Sequence, residues 1–452
     1  MEKKDDFLGT EPIKSLLFKL ALPTLVAQII NMLYNIVDRV YIGHIKNVGA
    51  LVLTGVGVCM PIILIVSAFA ALIASGGAPL ASISMGEGDS EKAEKILGNC
   101  FSTQIIISII LTIILLIFNE KILLLFGASE NTIKYATEYM DIYSIGTIFV
   151  QLTLGMNAFI TAQGFAKIGM LSVLIGAVSN IILDPIFIFA MNMGVKGAAL
   201  ATIISQSLSC IWIMYFLIGK KTKIKLKRTY LKIERNIILP CMTLGLSTFI
   251  MQASESVIAV CFNSSLLKYG GDIAVGSMTI LTSVMQFALL PLQGIGQGAQ
   301  PIISFNFGAK NKDRVKETFL LLVKISVGYS ALLWLLVMIM PQVFVKMFTT
   351  SPELIAFTET SLRVYMGGLM LFGIQVACQM TFTSIGNAKG SIMVAVMRKF
   401  VLLIPLIYIM PRFLENKTMA VYMAEPIADI LAVLFTSVLF TLQFRRILKD
   451  MK

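Results

Sequence analysis

The chain has 452 residues, of which 57% are hydrophobic and only 14% are charged. Charged residues make up about a quarter of an ordinary soluble domain. Long stretches without any charged residue include 47–86, 197–219, 273–309 and 364–388. Each is longer than the roughly 20 residues that a helix needs to cross a bilayer. These features exclude an ordinary soluble enzyme and a secreted disulfide scaffold. They also disfavour a porin-like barrel, whose strands need only about 10 alternating residues.

Several kinds of catalytic site are excluded by composition. The six cysteines form no CxxC pair, and His44 is the only histidine. A zinc site built from several histidines and a Ser-His-Asp triad therefore cannot be assembled. No GxxxxGK[ST] phosphate loop is present. The chain is not expected to be an enzyme, and no cofactor or bound metal is expected beyond a possible Na⁺.

Charges, glycines and prolines divide the apolar sequence into twelve predicted membrane spans. The first is read as a span and not as a cleavable signal, because its apolar run continues past Pro23 without a small-residue cleavage site. The predicted spans are 14–43, 49–83, 94–118, 134–161, 168–191, 197–219, 237–263, 273–303, 315–341, 353–384, 391–411 and 418–444.

The net charge of +12 could suit a nucleic-acid partner, but its distribution indicates membrane orientation instead. With twelve spans, the face shared by the two termini has 24 lysine and arginine residues and the opposite face has 8. Basic residues concentrate in cytoplasmic loops. We therefore predict a multi-pass plasma-membrane protein with both termini in the cytoplasm. Its expected partners are small molecules and lipids, with no nucleic acid, and a monomer is expected.

The two halves of the sequence repeat each other at a constant offset of 222 residues. Identical pairs that follow this offset include Pro79 with Pro301 and Tyr143 with Tyr365. The predicted organisation is an N-lobe of six spans (1–219), a basic cytoplasmic linker (220–236) and a C-lobe of six spans (237–452). Duplicated helical bundles are typical of secondary transporters that alternate around a central site. We expect an all-α fold with two pseudo-symmetric bundles around a central cavity.

Polar residues inside the spans mark candidate sites, because burying a charge in the bilayer is costly. In the N-lobe, Tyr34 and Asp38 lie one helical turn apart, as do Asn180 and Asp184 on the fifth span. The neighbouring polar residues are Thr202 on the sixth span and Asn157 on the fourth. Together they are predicted to form a small cation site or a protonatable network. The structural alternatives are an Asp38–Arg39 pair and an Asp184 that only caps a kink at Pro185.

The C-lobe has two candidate groups. Glu255 lies in the seventh span with Gln252 one turn earlier. Glu255 is expected to bind a cationic substrate or a coupling ion, or else to be a protonated structural acid.

The second C-lobe group consists of Glu425 and Asp429 on the twelfth span, facing Arg398 and Lys399 on the eleventh. A structural ion pair is the favoured interpretation, and a share in ion coupling is the alternative.

In the N-lobe, Pro23 is expected to permit a kink in the first helix, about four turns before Asp38.

The sequence resembles the multidrug and toxic compound extrusion (MATE) family over nearly its whole length. The resemblance lies in ALPTLVAQIINMLYNIVDRVYIG, GAPLASISMGEGDSEKAEK, NIILDPIFIF, GVKGAALATIIS, LLPLQGIGQGAQPIISFNFGAKN and AEPIADILA. It implies export of organic cations and other amphipathic drugs against inward Na⁺ or H⁺. The family's N-lobe cation site falls on Asp38, Asn180, Asp184 and Thr202, and its first-helix proline falls on Pro23.

A second branch of the family uses a seventh-helix Glu and a tenth-helix Asp. Glu255 matches the first, but the tenth span here has no Asp. This departure favours the N-lobe as the coupling site. Two alternatives remain: a flippase or exporter of lipid-linked or polar metabolites, and a non-transporting membrane scaffold. The sequence does not choose between Na⁺ and H⁺.

Overall fold

Helices form almost all of the protein. The computed structural model describes residues 7–46 and 48–451, and no β-strand occurs in that part of the chain. The long helices of the first half are α1 (Ile13–Gly43), α2 (Gly49–Glu87), α3 (Ser90–Leu125), α4 (Ile133–Ile145 and Thr147–Ala162), α5 (Ala166–Ala190) and α6 (Val195–Ile218). Those of the second half are α7 and α8 (together Arg235–Gly308), α9 (Lys312–Ile339), α10 (Pro352–Ser384), α11 (Ala388–Arg412) and α12 (Lys417–Asp450).

The helix Arg235–Gly308 is two spans joined at a break. Its 74 residues would make a straight helix about 110 Å long, more than three times the roughly 30 Å hydrocarbon core. Gly271 interrupts it with φ 65° and ψ −161°, a conformation that favours a residue without a Cβ. We therefore assign α7 to residues 235–270 and α8 to residues 272–308.

The expected count of twelve spans is confirmed for the described residues. Ten helices are long and apolar enough to cross a membrane, and the bent helix α4 makes eleven. Dividing Arg235–Gly308 at Gly271 makes twelve. The observed helices begin and end within several residues of the predicted spans, with the largest extensions, seven residues each, at the ends of α3 and α7.

The internal repeat of the sequence reappears in the helix boundaries. Helices α3, α5 and α6 of the first half begin 222 residues before helices α9, α11 and α12 of the second. The bend of 57° in α4 falls at Gly146, and a short 3₁₀ segment interrupts α10 at the equivalent Gly368. The two halves therefore share one helical plan and not merely similar residues.

The turns between helices repeat as well. Gly88 and Lys310, which precede α3 and α9, both have positive φ, at 82° and 58°. Gly164 and Gly386, which precede α5 and α11, have φ values of 88° and 73°. All four residues obey the same offset of 222. Three of these residues are glycines, which adopt this backbone conformation easily. Lys310 adopts it although it carries a side chain.

The contacts divide the chain into two compact units. The N-terminal unit runs from Lys19 to Phe249, and the C-terminal unit combines the described residues up to Phe18 with those from Ile250 onward. These units begin and end at other residues than the predicted lobes, because the first turns of α1 and α7 each pack with the opposite half of the sequence. The residues just before α1 do the same, since Arg314 donates to the backbone carbonyls of Leu8 and Glu11, at 3.1 and 2.8 Å.

The basic linker is folded onto the N-terminal unit. The side-chain oxygen of Gln163 accepts hydrogen bonds from the Thr222 hydroxyl and from the backbone N–H groups of Lys223 and Ile224. Glu94 accepts from the backbone of Lys225 and pairs with Lys227, and this ion pair raises the pKa of Lys227 above its ordinary value. The linker is thus an ordered part of this unit.

Candidate functional site

Two carboxyl groups face each other inside the N-terminal unit. Asp38 on α1 and Asp184 on α5 lie close enough to share a hydrogen bond. The side-chain amide of Asn180, one turn before Asp184, donates to its Oδ1 at 3.3 Å. Asn180 and Asp184 are 1% and 0% exposed. The spacing of four residues, which places both side chains on one helical face, therefore brings together the acids that the sequence singled out.

The acid pair leaves several oxygen atoms without a partner. Asp38 Oδ1, Asn180 Oδ1 and Asp184 Oδ2 are buried and accept no hydrogen bond. A buried polar atom without a partner costs about 1–3 kcal/mol, and more when it is charged. Oxygen atoms are the ligands that hard cations prefer. The group is thus suited to take up a proton or a small cation.

Helices α4 and α6 complete the surroundings of the pair. The Thr202 hydroxyl on α6 donates to the carbonyl of Ala198 at 3.0 Å and lies within reach of the Tyr139 hydroxyl on α4. Gln206, one turn after Thr202, reaches Tyr34 on α1. Its Oε1 atom is a fourth buried oxygen without a partner. Thr202 and Tyr34 therefore lie where the sequence placed them.

Sequence reasoning missed Tyr139 and Gln206. Gln206 had a usable signal, because it lies four residues after Thr202 on the same face of an apolar helix. The sequence contains no such signal for Tyr139, because its approach to Asp38 and Thr202 depends on how α4 packs against α1 and α6.

Asn157 lies apart from this cluster. Its side-chain amide donates to the carbonyl of Gly169 on α5 at 3.4 Å. Gly169 precedes Asn180 by eleven residues, which corresponds to about 16 Å along a helix. The expectation that Asn157 sits beside the acid pair is therefore not met, because its part of α4 packs against the beginning of α5.

Helix α1 runs through Pro23 without interruption. A proline in a helix cannot donate its backbone bond, so a carbonyl one turn earlier loses its partner. The Thr24 hydroxyl, next in the chain, bonds to the carbonyls of Leu20 and Ala21, at 3.2 and 2.9 Å. The helix that carries Asp38 thus contains a proline and two side-chain-to-backbone bonds in its first half.

The C-terminal unit contains a buried ion cluster. Arg398 on α11 donates from Nε to Asp429 Oδ1 at 2.7 Å and from a terminal nitrogen to Glu425 Oε1 at 2.9 Å. Its guanidinium also lies 4.7 Å from the ring centre of Phe372. Arg398, Glu425 and Asp429 are 6%, 3% and 1% exposed. The predicted ion pair between α11 and α12 is present, with one arginine bridging two acids.

The sequence had suggested that Lys399 would also pair with these two acids, but it does not. Its ammonium pairs with Glu255 Oε1 on α7 at 2.6 Å. The reason is geometric: adjacent residues on a helix point about 100° apart, so Arg398 and Lys399 serve different neighbours. Glu255 is therefore ion-paired and is not a protonated acid held by amides. Gln252 lies on the exposed side of α7, one turn before Glu255.

Both charged groups lie at π-helical segments, where an extra residue loosens the helical ladder. Ile186–Ala190 begins two residues after Asp184, and Met397–Leu403 contains Arg398 and Lys399. Such bulges are rare and often mark functional sites. No group of three or more His, Cys, Asp or Glu that could hold a metal ion occurs among the described residues.

The family model described as MatE matches residues 23–186 and 247–409. Among curated proteins, the chain is similar to the multidrug export protein MepA of Staphylococcus haemolyticus (strain JCSC1435). The two are 27% identical over 391 residues, covering 86% of this chain and 85% of that protein. It is also similar to MepA of Staphylococcus aureus (strain NCTC 8325 / PS 47), with 24% identity over 410 residues, 89% of this chain and 88% of that one.

Solved structures show the same fold. A crystal structure of MATE in the bent conformation matches with a TM-score of 0.93, over 100% of both chains, at 21% identity. A MOP superfamily transporter from Pyrococcus furiosus Vc1 (DSM3638), described as having a binding pocket of reverse polarity, matches with a TM-score of 0.91 at 22% identity, over 99% of both chains. The family model covers most of the chain in two matching halves. The chain therefore belongs to the MatE family of multidrug and toxic compound extrusion transporters.

Proposed function

We propose that this transporter exports organic cations and other amphipathic drugs across the plasma membrane in exchange for inward Na⁺ or H⁺. The observation that carries the proposal is the pair of facing carboxyl groups of Asp38 and Asp184, with buried oxygen atoms left unpartnered around them. The multidrug export activity named for the MepA relatives supports the same class of substrate.

The coupling would work through differential binding. A cation or proton between Asp38 and Asp184 stabilises whichever arrangement brings α1 and α5 together. A drug that prefers another arrangement is then released, because an equilibrium shifts only by the difference in affinity between two states. Drug and ion need not touch the same atoms. Pro23 gives α1 a place to bend in response.

The choice of drug class follows from the charges inside the spans. The N-terminal site contains two acids and no basic residue that donates to them. In the C-terminal unit, Glu255 has a side chain that is 58% exposed, whereas its partner Lys399 is 5% exposed. Both features favour positively charged cargo. A carrier of pyrophosphate-linked lipids would be expected to present basic groups instead.

Drug efflux from proteoliposomes tests the function directly. Purified protein is reconstituted, vesicles are loaded with ethidium, and either an inward Na⁺ gradient or an inward pH gradient is imposed. Efflux under one of these gradients is expected, and the gradient that drives it identifies the coupling ion. No efflux under either gradient, with protein that is folded and correctly inserted, would contradict the proposal and favour a non-transporting scaffold.

A further inference from the structure

The ion cluster of the C-terminal unit does not balance its own charge. Arg398 pairs with the two buried acids Glu425 and Asp429, whereas Lys399 pairs with the exposed Glu255. When Arg398, Glu425 and Asp429 are all ionised, this cluster carries one net negative charge. Removing ions from water costs several kcal/mol each unless every charge is compensated. One further positive charge is therefore needed for the cluster to be neutral.

The structure also shows where that charge would go. Arg398 uses one oxygen of each α12 acid, and the other oxygens, Glu425 Oε2 and Asp429 Oδ2, are buried without a partner. Both side chains are more than nine-tenths buried. The two acids lie one turn apart on α12, so their free oxygens belong to the same face of the helix. Together they form an acceptor with no donor.

We propose that Glu425 and Asp429 form a second site, separate from Asp38 and Asp184, that takes up and releases one proton. On uptake, a free carboxylate oxygen of the pair accepts a proton from water, and the net charge of the cluster changes from −1 to zero. A proton suits the site better than a metal ion does. Hard cations require several oxygen ligands, only two remain free, and the Arg398 guanidinium already occupies the space between the acids.

Exchange with water needs a path from the buried pair to an aqueous space. Glu255 supplies its outer end, because a charged side chain that is 58% exposed at mid-span does not face lipid. Lys399 joins Glu255 at 2.6 Å and is the chain neighbour of Arg398. The Lys399 ammonium also lies near enough to Glu425 for its charge to act there, so we infer that the path for exchange with water runs from Glu255 past Lys399 to the acids on α12. The loosened π-helical segment Met397–Leu403 carries its middle part.

The groups that surround the pair come from each helix packed against it. Arg398 and Lys399 approach from α11, Glu255 from α7, and the Tyr365 hydroxyl from α10. The Phe372 ring on α10 covers the guanidinium. Movement of Lys399 away from Glu255 would change the field at Glu425. Proton release can thus be linked to occupation of Glu255 by a cationic molecule.

Infrared difference spectroscopy of the full chain in lipid vesicles tests this site. Spectra at about pH 6 and at alkaline pH are subtracted, so that exposed Asp and Glu, with ordinary pKa values of about 4, stay ionised in both. The carbonyl stretch of a protonated carboxyl group is followed. The measurement is made with Asp38→Asn and Asp184→Asn present, so that the N-terminal acids do not contribute. A band that appears at acid pH with the intensity of one carboxyl group is expected.

Further substitutions in that background assign the band. Glu425→Gln or Asp429→Asn should remove or strongly shift it, whereas Glu425→Asp should keep it, which covers the case in which Glu425→Gln fails to fold. Glu415→Gln, at an exposed loop position, should leave it unchanged. A band that does not change with pH, or one that survives both neutral substitutions at α12, would overturn the proposal. Neither result depends on whether the N-terminal site drives export.

Discussion

At the level of single residues, the two pairs of acids differ in whether a basic side chain binds them. Arg398 is enclosed by two acids and an aromatic ring. Asp38 and Asp184 face each other with free oxygen atoms. The first arrangement links α11 to α12, and in the second no basic side chain of the described residues donates to the two acids.

This difference predicts unequal costs for removing the two basic residues of α11. Arg398→Met leaves two buried acids unpaired and should destabilise the protein by about 3–5 kcal/mol, the usual cost of breaking a buried ion pair. Lys399→Met should cost less, because its partner Glu255 is largely exposed. Thermal unfolding of the purified variants in detergent measures both. Equal loss of stability in the two variants would contradict this reading of the cluster.

Spacing along single helices was readable from the sequence, and contacts between helices were not. The turn-spaced pairs of α1, α5 and α12 were predicted because helical periodicity fixes which residues share a face. The pairing of Lys399 with Glu255 joins residues 144 positions apart. Asn157 was misplaced for the same reason, since its position depends on how α4 packs against α5.

At the level of helices, α2 and α7 touch backbone to backbone within the N-terminal unit. A Cβ on Gly245 would lie 1.8 Å from the Leu72 carbonyl oxygen, and one on Gly76 would lie 1.9 Å from that of Cys241. Small residues allow such close approach between membrane helices. The contact explains why the first part of α7 belongs to the N-terminal unit.

Overpacking a buried site costs about 1–3 kcal/mol, and we predict that Gly245→Leu destabilises the protein by at least this amount. The side chain would meet backbone, which cannot move aside as a flexible side chain can. Gly57→Leu on α2 is the matched control, because a Cβ there meets nothing within 4 Å. Folded yield and thermal midpoint after purification are the measurements. Similar values for the two variants would show that the close approach is not needed.

Helix α1 should lose part of its ability to bend when Pro23 is replaced. In Pro23→Ala, the restored backbone hydrogen bond straightens and stiffens the helix. Export of ethidium is expected to slow several-fold, whereas binding of the coupling ion to Asp38 and Asp184 persists. Comparing efflux rate with ion affinity separates these effects. An unchanged efflux rate would mean that α1 does not bend at this residue during transport.

At the level of the whole molecule, the repeat at an offset of 222 residues was the most reliable basis for prediction. It predicted equivalent helices, and the structure shows equivalent helix starts, breaks and turns. The lobe boundaries could not be predicted in the same way, because they depend on where the first turns of α1 and α7 pack. The sequence likewise predicted a basic linker at 220–236, but not that Gln163 and Glu94 bind it.

The distribution of basic residues predicts the orientation of the whole chain. Lys312 is the first residue of α9 and Glu415 precedes α12, and both are exposed. A cysteine introduced at position 312 should react with an impermeant thiol reagent only from the cytoplasm. One at position 415 should react only from outside. Labelling intact cells and inside-out vesicles checks both, and the opposite pattern would show that the termini are external.

The central claim is that an ion held by Asp38 and Asp184 drives export. Its most direct test is gradient-driven ethidium efflux from proteoliposomes containing Asp38→Asn, Asp184→Asn or the exposed-loop control Glu130→Gln. We expect both aspartate variants to fall to the rate of passive leak, and the control to match the unaltered protein. Full efflux by both aspartate variants, at equal amounts of inserted protein, would contradict the account.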